Sequence, residues 1–390
     1  MKSIPFWNPL PEYEKIATEV HTAIARVLSS GTLILGPEVA AFETSFAQYI
    51  GCRYGIGVGN GTDAIILALK ALGVGQDDEV ITAANTAIPT VAAIMAVGAV
   101  PKLVDVLPDS LLMDPAKLQG AITKRTRAII PVHLYGQSCD MDTIMKIATS
   151  KKVFVIEDCA QATGAEYKSK VSAKGGPAYG RKSRKSKVGS MGSIATFSFY
   201  PTKIIGCYGD GGMITTNNPA LAKRVRSLRM YGTEGTYNAI IEGGINSRLD
   251  ELQAAILSVK LKNIKRWIKE RQRLAHRYNQ GLKSTPLILP SQPQKVSPFE
   301  ANSHVFHLYI IRHTKRIEIQ KYLRMHGIGT AIHYPVPIHL MPAYSKLGYE
   351  KGDFPVAEGA CHSVLSLPLY PGLTDDDQDR IINALRAYFK

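Results

Sequence analysis

The chain has 390 residues, 45% apolar, 20% charged and 8% aromatic, with 33 Gly and 22 Pro. That balance excludes disorder, collagen and coiled coil as the overall class, and the length exceeds what one small core needs. The net charge of +15 raises nucleic acid as a partner, but eight cations and no acid fall between residues 168 and 187, and without them the charge is +7. One Gly/Ser/Lys-rich stretch reads as a solvated surface loop, so no specific nucleic acid is expected. No apolar run approaches the roughly 20 residues of a membrane-spanning helix, so no membrane partner is expected. Residues 1–9 carry no apolar signal region, and the expected address is cytoplasmic. The five cysteines (52, 139, 159, 207 and 361) are scattered with no CxxC pair. That argues against disulfides and against a bound metal, and leaves them as small buried side chains.

In chain order, β-rich runs stand at 80–82, 103–106, 128–132, 153–156, 195–199 and 213–216. Helical patterns at 63–72, 89–97, 115–122, 140–150 and 219–230 fall between most of them. The alternation predicts an α/β fold with a mostly parallel central sheet covered by helices. A long helical pattern over 248–282 leads to a Pro/Ser/Gln-rich stretch, 286–298, that reads as a linker. A compact unit follows, with a strand over 304–312, a helix over 315–326, an extended Pro-rich segment over 333–342 and a last helix over 374–389. The expected organisation is a large α/β domain over 1–250, a connecting helix over 251–285 and a small α+β C-terminal domain over 286–390.

Four segments carry chemistry. In Gly57-Val58-Gly59-Asn60-Gly61-Thr62-Asp63-Ala64, a glycine-rich turn opens an apolar helix; Thr62 can cap it, and its free amides attract a phosphate. The alternating glycines have neither dinucleotide nor Walker spacing. In Val155-Ile156-Glu157-Asp158-Cys159-Ala160-Gln161, two carboxylates end a buried strand, where parallel sheets place ligand groups; either acid could instead cap the next helix. Lys203 follows the aromatic strand and proline turn Phe197-Ser198-Phe199-Tyr200-Pro201-Thr202, in surroundings that lower a lysine pKa and make the amine a nucleophile. In Asn246-Ser247-Arg248-Leu249-Asp250-Glu251, a polar turn enters a helix, with Asp250 and Glu251 suited to its first turn. A phosphate cradle, a carboxylate and an imine-forming lysine are together the parts of a pyridoxal phosphate site.

With these segments in this order, the sequence resembles the DegT/DnrJ/EryC1/StrS family of sugar aminotransferases over essentially its whole length. Leu33-Ile34-Leu35-Gly36-Pro37-Glu38-Val39, Pro131-Val132-His133-Leu134-Tyr135-Gly136 and His333-Tyr334-Pro335-Val336-Pro337 add to the likeness. The resemblance implies a fold-type I enzyme using pyridoxal 5′-phosphate, usually a homodimer with sites shared between subunits. It implies that Lys203 forms the imine with the cofactor and that Asp158 partners the pyridinium nitrogen. By the same likeness Gln161 contacts the ring hydroxyl, while Gly61, Thr62 and Ser198 hold the phosphate with Asn246 of the opposite subunit. Arg248, His333 and Tyr334 match positions near the substrate mouth. A related branch carries a histidine at the lysine position and dehydrates instead; Lys203 stands against it.

The implied reaction moves an amino group from L-glutamate to a keto group of a nucleotide-linked deoxysugar. The N-terminal Gly31-Thr32-Leu33-Ile34-Leu35-Gly36-Pro37 and the Asn246-Ser247-Arg248 form look most like members acting at C3 of dTDP-3-keto-6-deoxyhexoses. The alternatives are a C4 aminotransferase, an enzyme of UDP-linked 3-keto sugars and, more distantly, a non-catalytic regulator. Two departures stand out. Asn85-Thr86 is followed by Ala87-Ile88, where family members commonly carry an aromatic that stacks on the cofactor ring. Residues 171–187 look like a basic insertion, longer than ordinary connections. Its charge is expected to draw in the substrate diphosphate. Deleting 171–186 should then raise KM for the sugar and weaken its salt dependence; unchanged kinetics would refute this.

Overall fold

A computed structural model describes residues 3–169, 185–235, 237–290 and 303–390. Helices α1 (Leu10–Glu14), α2 (Ala17–Ser30) and α3 (Pro37–Ile50) come first. Strands and helices then alternate as β1 (Tyr54–Val58), α4 (Gly61–Ala71), β2 (Glu79–Ala83), α5 (Ile88–Ala96), β3 (Val100–Val104), α6 (Pro115–Ala121), β4 (Thr126–Ile130), α7 (Met141–Lys151) and β5 (Phe154–Asp158). A hairpin of β6 (Glu166–Lys168) and β7 (Lys185–Lys187) precedes β8 (Ile194–Ser198), β9 (Gly212–Thr216), α8 (Pro219–Leu228) and α9 (Glu251–Leu282). The chain closes with β10 (Tyr309–Arg312), α10 (Arg316–Met325), α11 (Pro355–Ser363), β11 (Val364–Leu367) and α12 (Asp375–Tyr388).

Local chemistry starts several helices. Asn60, Asp114, Asp140, Asn218 and Thr374 each accept a backbone N–H from the first turn that follows. The cap of α4 is thus Asn60, whose Oδ1 takes the Asp63 N–H at 2.8 Å, and not Thr62. Glu251 also departs from expectation. It opens α9, but its carboxylate accepts the N–H groups of Gly36, Glu38 and Val39, each at 2.8 Å, and so caps α3. The strand expected over 304–312 is confined to 309–312. Upstream of it, Val305 donates to the Gly136 carbonyl and Leu308 to that of Tyr135, which ties the segment to the loop after β4.

The seven-stranded sheet runs β1-β9-β8-β5-β4-β2-β3. Pairings from β3 through β8 are parallel; β9 is antiparallel to both β8 and β1. The mostly parallel sheet stands as expected, with one reversed strand near its edge. β10 and β11 form a separate antiparallel pair. One apolar cluster packs α4, α5 and α7 on the sheet, and a second packs α2, α3 and the first half of α9 on it. A third joins the second half of α9 (Leu274, Tyr278 and Leu282) to α10, α12 and Ile4. Ile4 bridges to Ile328, so the first described residues are built into the C-terminal core.

All five cysteines are free, four of them buried and Cys52 partly so. Most of the basic stretch (170–184) and most of the Pro-rich stretch (291–302) lie outside the described residues. The last three residues of the expected insertion form β7, paired to β6. No described helix is long and apolar enough to cross a membrane.

Candidate active site

The parallel strands end on one side of the sheet, and there the chain sets its unusual side chains. Thr86 follows β2, His133 and Tyr135 follow β4, Asp158 ends β5 and Ser198 ends β8. This is where an open parallel sheet leaves a crevice for ligands.

The two carboxylates of β5 part company. Glu157 is fully buried, and its oxygens accept the N–H groups of Gly189 (2.8 Å), Met191 (2.7 Å) and Gly192 (2.6 Å) and of His133 Nε2 (3.1 Å). Burial pushes its pKa up, but His133 and the backbone amides outweigh burial and hold it below the usual carboxylate range. The acid thus pins the loop that leads into β8 and caps no helix. Removing it would strand buried amides and a histidine. Glu157→Ala should cost about 3–5 kcal/mol, read as a lost denaturation midpoint, with Glu157→Gln costing less. His133, Glu157 and Cys159 also bring three ligand-type atoms within 4.8 Å. Cys139 N–H occupies His133 Nδ1 at 3.1 Å, which leaves the ring proton on Nε2 for Glu157 and no lone pair for a metal.

Asp158 turns the other way, into the crevice. Its Oδ1 accepts the Ala160 N–H (3.0 Å) and its Oδ2 the Thr90 hydroxyl (3.2 Å), which itself accepts from Thr86 (2.9 Å). Burial raises its pKa, against the pull of the Ala160 amide, Lys203 and Thr90. A buried carboxylate raised in this way gains by acquiring a cationic partner. Lys203 is partly buried, and no hydrogen bond or ion pair holds its ammonium among the described residues. Burial lowers its pKa to about 8, with the Asp158 charge opposing. At pH 7 about a tenth of it is then free amine, far more than of an ordinary lysine.

Gly61 and Ser198 meet where the first turn of α4 approaches the end of β8. A Cβ on Gly61 would stand 2.7 Å from Ser198 Cβ, so only glycine lets the first turn of α4 meet the end of β8. Thr62 sits half-buried in the same first turn. Gln161 is buried between Tyr135, whose N–H donates to Oε1 (2.8 Å), and Tyr334, whose oxygen accepts from Nε2 (3.0 Å). His333 bonds Ser366 Oγ through Nδ1 (2.8 Å); burial and then the Lys203 charge lower its pKa to about 4, so it is neutral.

Two expected residues stay apart from this group. Asn246 is exposed, bridged to Met230, and Arg248 lies half-buried with NH1 3.7 Å from Met230 Sδ. Ser247 between them donates to Asp63 (2.7 Å) and accepts from Gly59 N–H (2.9 Å), which lays this strip beside the glycine turn. At Ala87 there is a half-buried methyl before α5 and no aromatic.

Thr90, Tyr135 and His307 carry no role in the sequence reading. His307 is buried with Nδ1 unpartnered. Burial, then the charges of Lys203 and Arg271, hold its pKa well below the usual histidine value. A threonine one helical turn beyond Thr86 was the only local hint of the Asp158 support.

These residues fit pyridoxal phosphate on three counts. A helix N-terminus with a glycine–serine cradle suits the phosphate, a buried carboxylate suits the ring nitrogen, and an unpaired amine of lowered pKa suits the carbonyl carbon.

Comparison with known proteins agrees. Residues 14–386 match the model of the DegT/DnrJ/EryC1/StrS aminotransferase family. A dTDP-3-amino-3,4,6-trideoxy-alpha-D-glucose transaminase of Micromonospora megalomicea subsp. nigra is 43% identical over 97% of both chains. A protein of Geobacillus stearothermophilus called a pleiotropic regulatory protein is 42% identical over 100% of this chain and 99% of its own. The X-ray structure of S. venezuelae DesV superposes with a TM-score of 0.91 at 41% identity, covering 100% of this chain and 99% of that one. The chain belongs to the DegT/DnrJ/EryC1/StrS aminotransferase family.

Proposed function

We propose that this chain moves the amino group of L-glutamate to C3 of a dTDP-linked 3-keto-6-deoxyhexose, working as a homodimer. It is an aminotransferase whose cofactor is pyridoxal 5′-phosphate. The observation that carries the reading is the unpaired Lys203 amine beside buried Asp158 at the ends of the parallel strands.

When bound, the cofactor supplies an electron sink that makes the α-proton of an amino acid removable. The chain's own residues do the rest. The first turn of α4, with Gly61 and Thr62, and the Ser198 hydroxyl hold the phosphate. Asp158 keeps a proton on the ring nitrogen, the Thr86–Thr90 hydroxyls hold that carboxylate in place, and Gln161 contacts the ring hydroxyl. Lys203 Nζ, part amine near neutral pH, would hold the α-proton of the donor between its removal and its return. The regulatory name of one relative belongs to that protein; Lys203, Asp158 and Gln161 here favour catalysis.

Two observations support the dimer. Asn246, matched to a phosphate contact across subunits, faces outward. Leu33, Ile34, Ile88, Tyr200, Tyr231 and Ile240 are 44–54% exposed, and a second subunit would cover such side chains. Arg248, His333 and Tyr334 are proposed at the substrate mouth. The cytoplasm is proposed as the location.

The test is the visible spectrum of the purified protein loaded with pyridoxal phosphate, before and after L-glutamate. A yellow protein that glutamate bleaches, and that 3-keto dTDP sugar restores, supports the reading. Restoration only by 4-keto or UDP-linked sugars moves the substrate to that class, and a protein indifferent to every amino donor refutes it.

A further inference from the structure

We infer that Tyr334 is a positioning residue for the cofactor: it fixes the Gln161 amide in one orientation and presents its own O–H to the ring oxygen that Gln161 faces. The inference rests on the proposed contact between Gln161 and the ring hydroxyl, and adds a second group to it.

The argument begins with the amide. Tyr135 N–H donates to Gln161 Oε1 at 2.8 Å, which decides the side on which the oxygen lies. The NH2 group must therefore point the opposite way, where it donates to the Tyr334 oxygen at 3.0 Å. Having accepted that bond, the phenol keeps its own proton to give, and no group among the described residues takes it. Two donors, the second amide hydrogen and the phenol hydrogen, are thereby left beside one another at a crevice wall. Such a pair suits an oxygen that carries negative charge.

The phenol is held firmly enough for this task. Tyr135 sits in the left-handed region (φ 62°). From there it serves both partners, sending its N–H to Gln161 and its O–H to the His333 carbonyl at 2.7 Å. His333 is anchored in turn on Ser366. The ionisable groups that face the phenol are Asp158 from β5, Tyr135 after β4 and the neighbouring His333, whose ring lies 5.5 Å from that of Tyr334. Burial, then the Asp158 charge, push the Tyr334 pKa up to about 12, so the phenol remains a donor throughout the working range.

The experiment uses full-length protein loaded with pyridoxal phosphate and two readouts besides turnover: the dissociation constant of the cofactor, and the pH midpoint of the visible absorbance band. Tyr334→Phe should weaken cofactor binding about tenfold. It should also move the midpoint upward, because an oxygen deprived of a donor holds the neighbouring proton more tightly. Combined with Gln161→Ala, the two losses should be less than additive, since each removes part of one unit. Tyr135→Phe, which loosens the clamp on His333 while keeping the N–H to Gln161, should shift the midpoint the same way and less far. It keeps the question decidable where Tyr334→Phe folds poorly.

Unchanged affinity and midpoint in Tyr334→Phe, or a loss confined to its melting temperature, overturns the inference. A wild-type protein with no visible band under pyridoxal phosphate would instead overturn the reading beneath it. Unaltered binding and midpoint in Gln161→Ala would overturn the ring-hydroxyl contact and the inference together.

Discussion

Replacing Lys203 by alanine should lower kcat for amino transfer by about 10⁴-fold or more, because one amine serves as both nucleophile and proton carrier. The loss should not come from misfolding. Lys203 makes no side-chain hydrogen bond or ion pair among the described residues, and its removal relieves a burial cost that already pulls its pKa to about 8. Melting temperature should therefore hold or rise. Borohydride should fix pyridoxal phosphate to the wild-type chain and leave Lys203→Ala unlabelled, as read by intact mass. Label retained in the variant would assign the role to another amine, buried Lys260 being the first to examine.

Asp158→Asn should lower kcat by about 10³-fold with a smaller change in KM for the sugar, since a neutral amide cannot keep a proton on the ring nitrogen. A second consequence concerns Lys203. In the wild type its amine becomes available as pH rises through about 8, so cofactor loading should slow on acidification below that point. The Asp158 charge is the influence that favours the ammonium against burial. Without it the Lys203 pKa falls further, and the loading midpoint should move to lower pH. A midpoint that stayed put or rose would show that Asp158 does not act on Lys203 through charge.

Much of this site is legible in the chain because its parts are local. Asp158 ends a β-branched run, Lys203 follows a proline turn after another, and Gly61 opens an apolar helix. Each carries its signal within a few residues. The groups that complete the site lack a local one: Gln161 and Tyr334 are reached only through the family likeness, and Tyr135 and Thr90 carry no role even there. Gln161, Tyr135 and Tyr334 come from three stretches that meet only after folding, and the Thr90 bond to Asp158 depends on how α5 lies against β5.

The fold divides in the same way. β2, β4, β5, β8 and β9 announce themselves by β-branched residues, while β1 does not, because Gly55 and Gly57 interrupt its pattern. Those glycines answer to neighbours: a Cβ at Gly55 would come 2.5 Å from the Glu43 carbonyl oxygen, and one at Gly57 would come 2.9 Å from Leu249 Cβ. At the start of α3, Pro37 and Glu38 mark the first turn, but the cap is silent, since its carboxylate, Glu251, arrives some two hundred residues later.

The placement of Ile4 in the C-terminal core bears on how the protein is made. Its bridge partner is Ile328, and among the described residues β1 has β9 as its one neighbour in the sheet. At ordinary ribosomal speed the interval between residues 4 and 328 is on the order of tens of seconds. Through that time the emerging N-terminal stretch has no native seat for Ile4, and β1 has an open edge until β9 is exposed. Contacts this distant along the chain slow folding. Nascent chains arrested before residue 328 should accordingly be protease-sensitive at their first residues, and they are the species on which a holding chaperone would act.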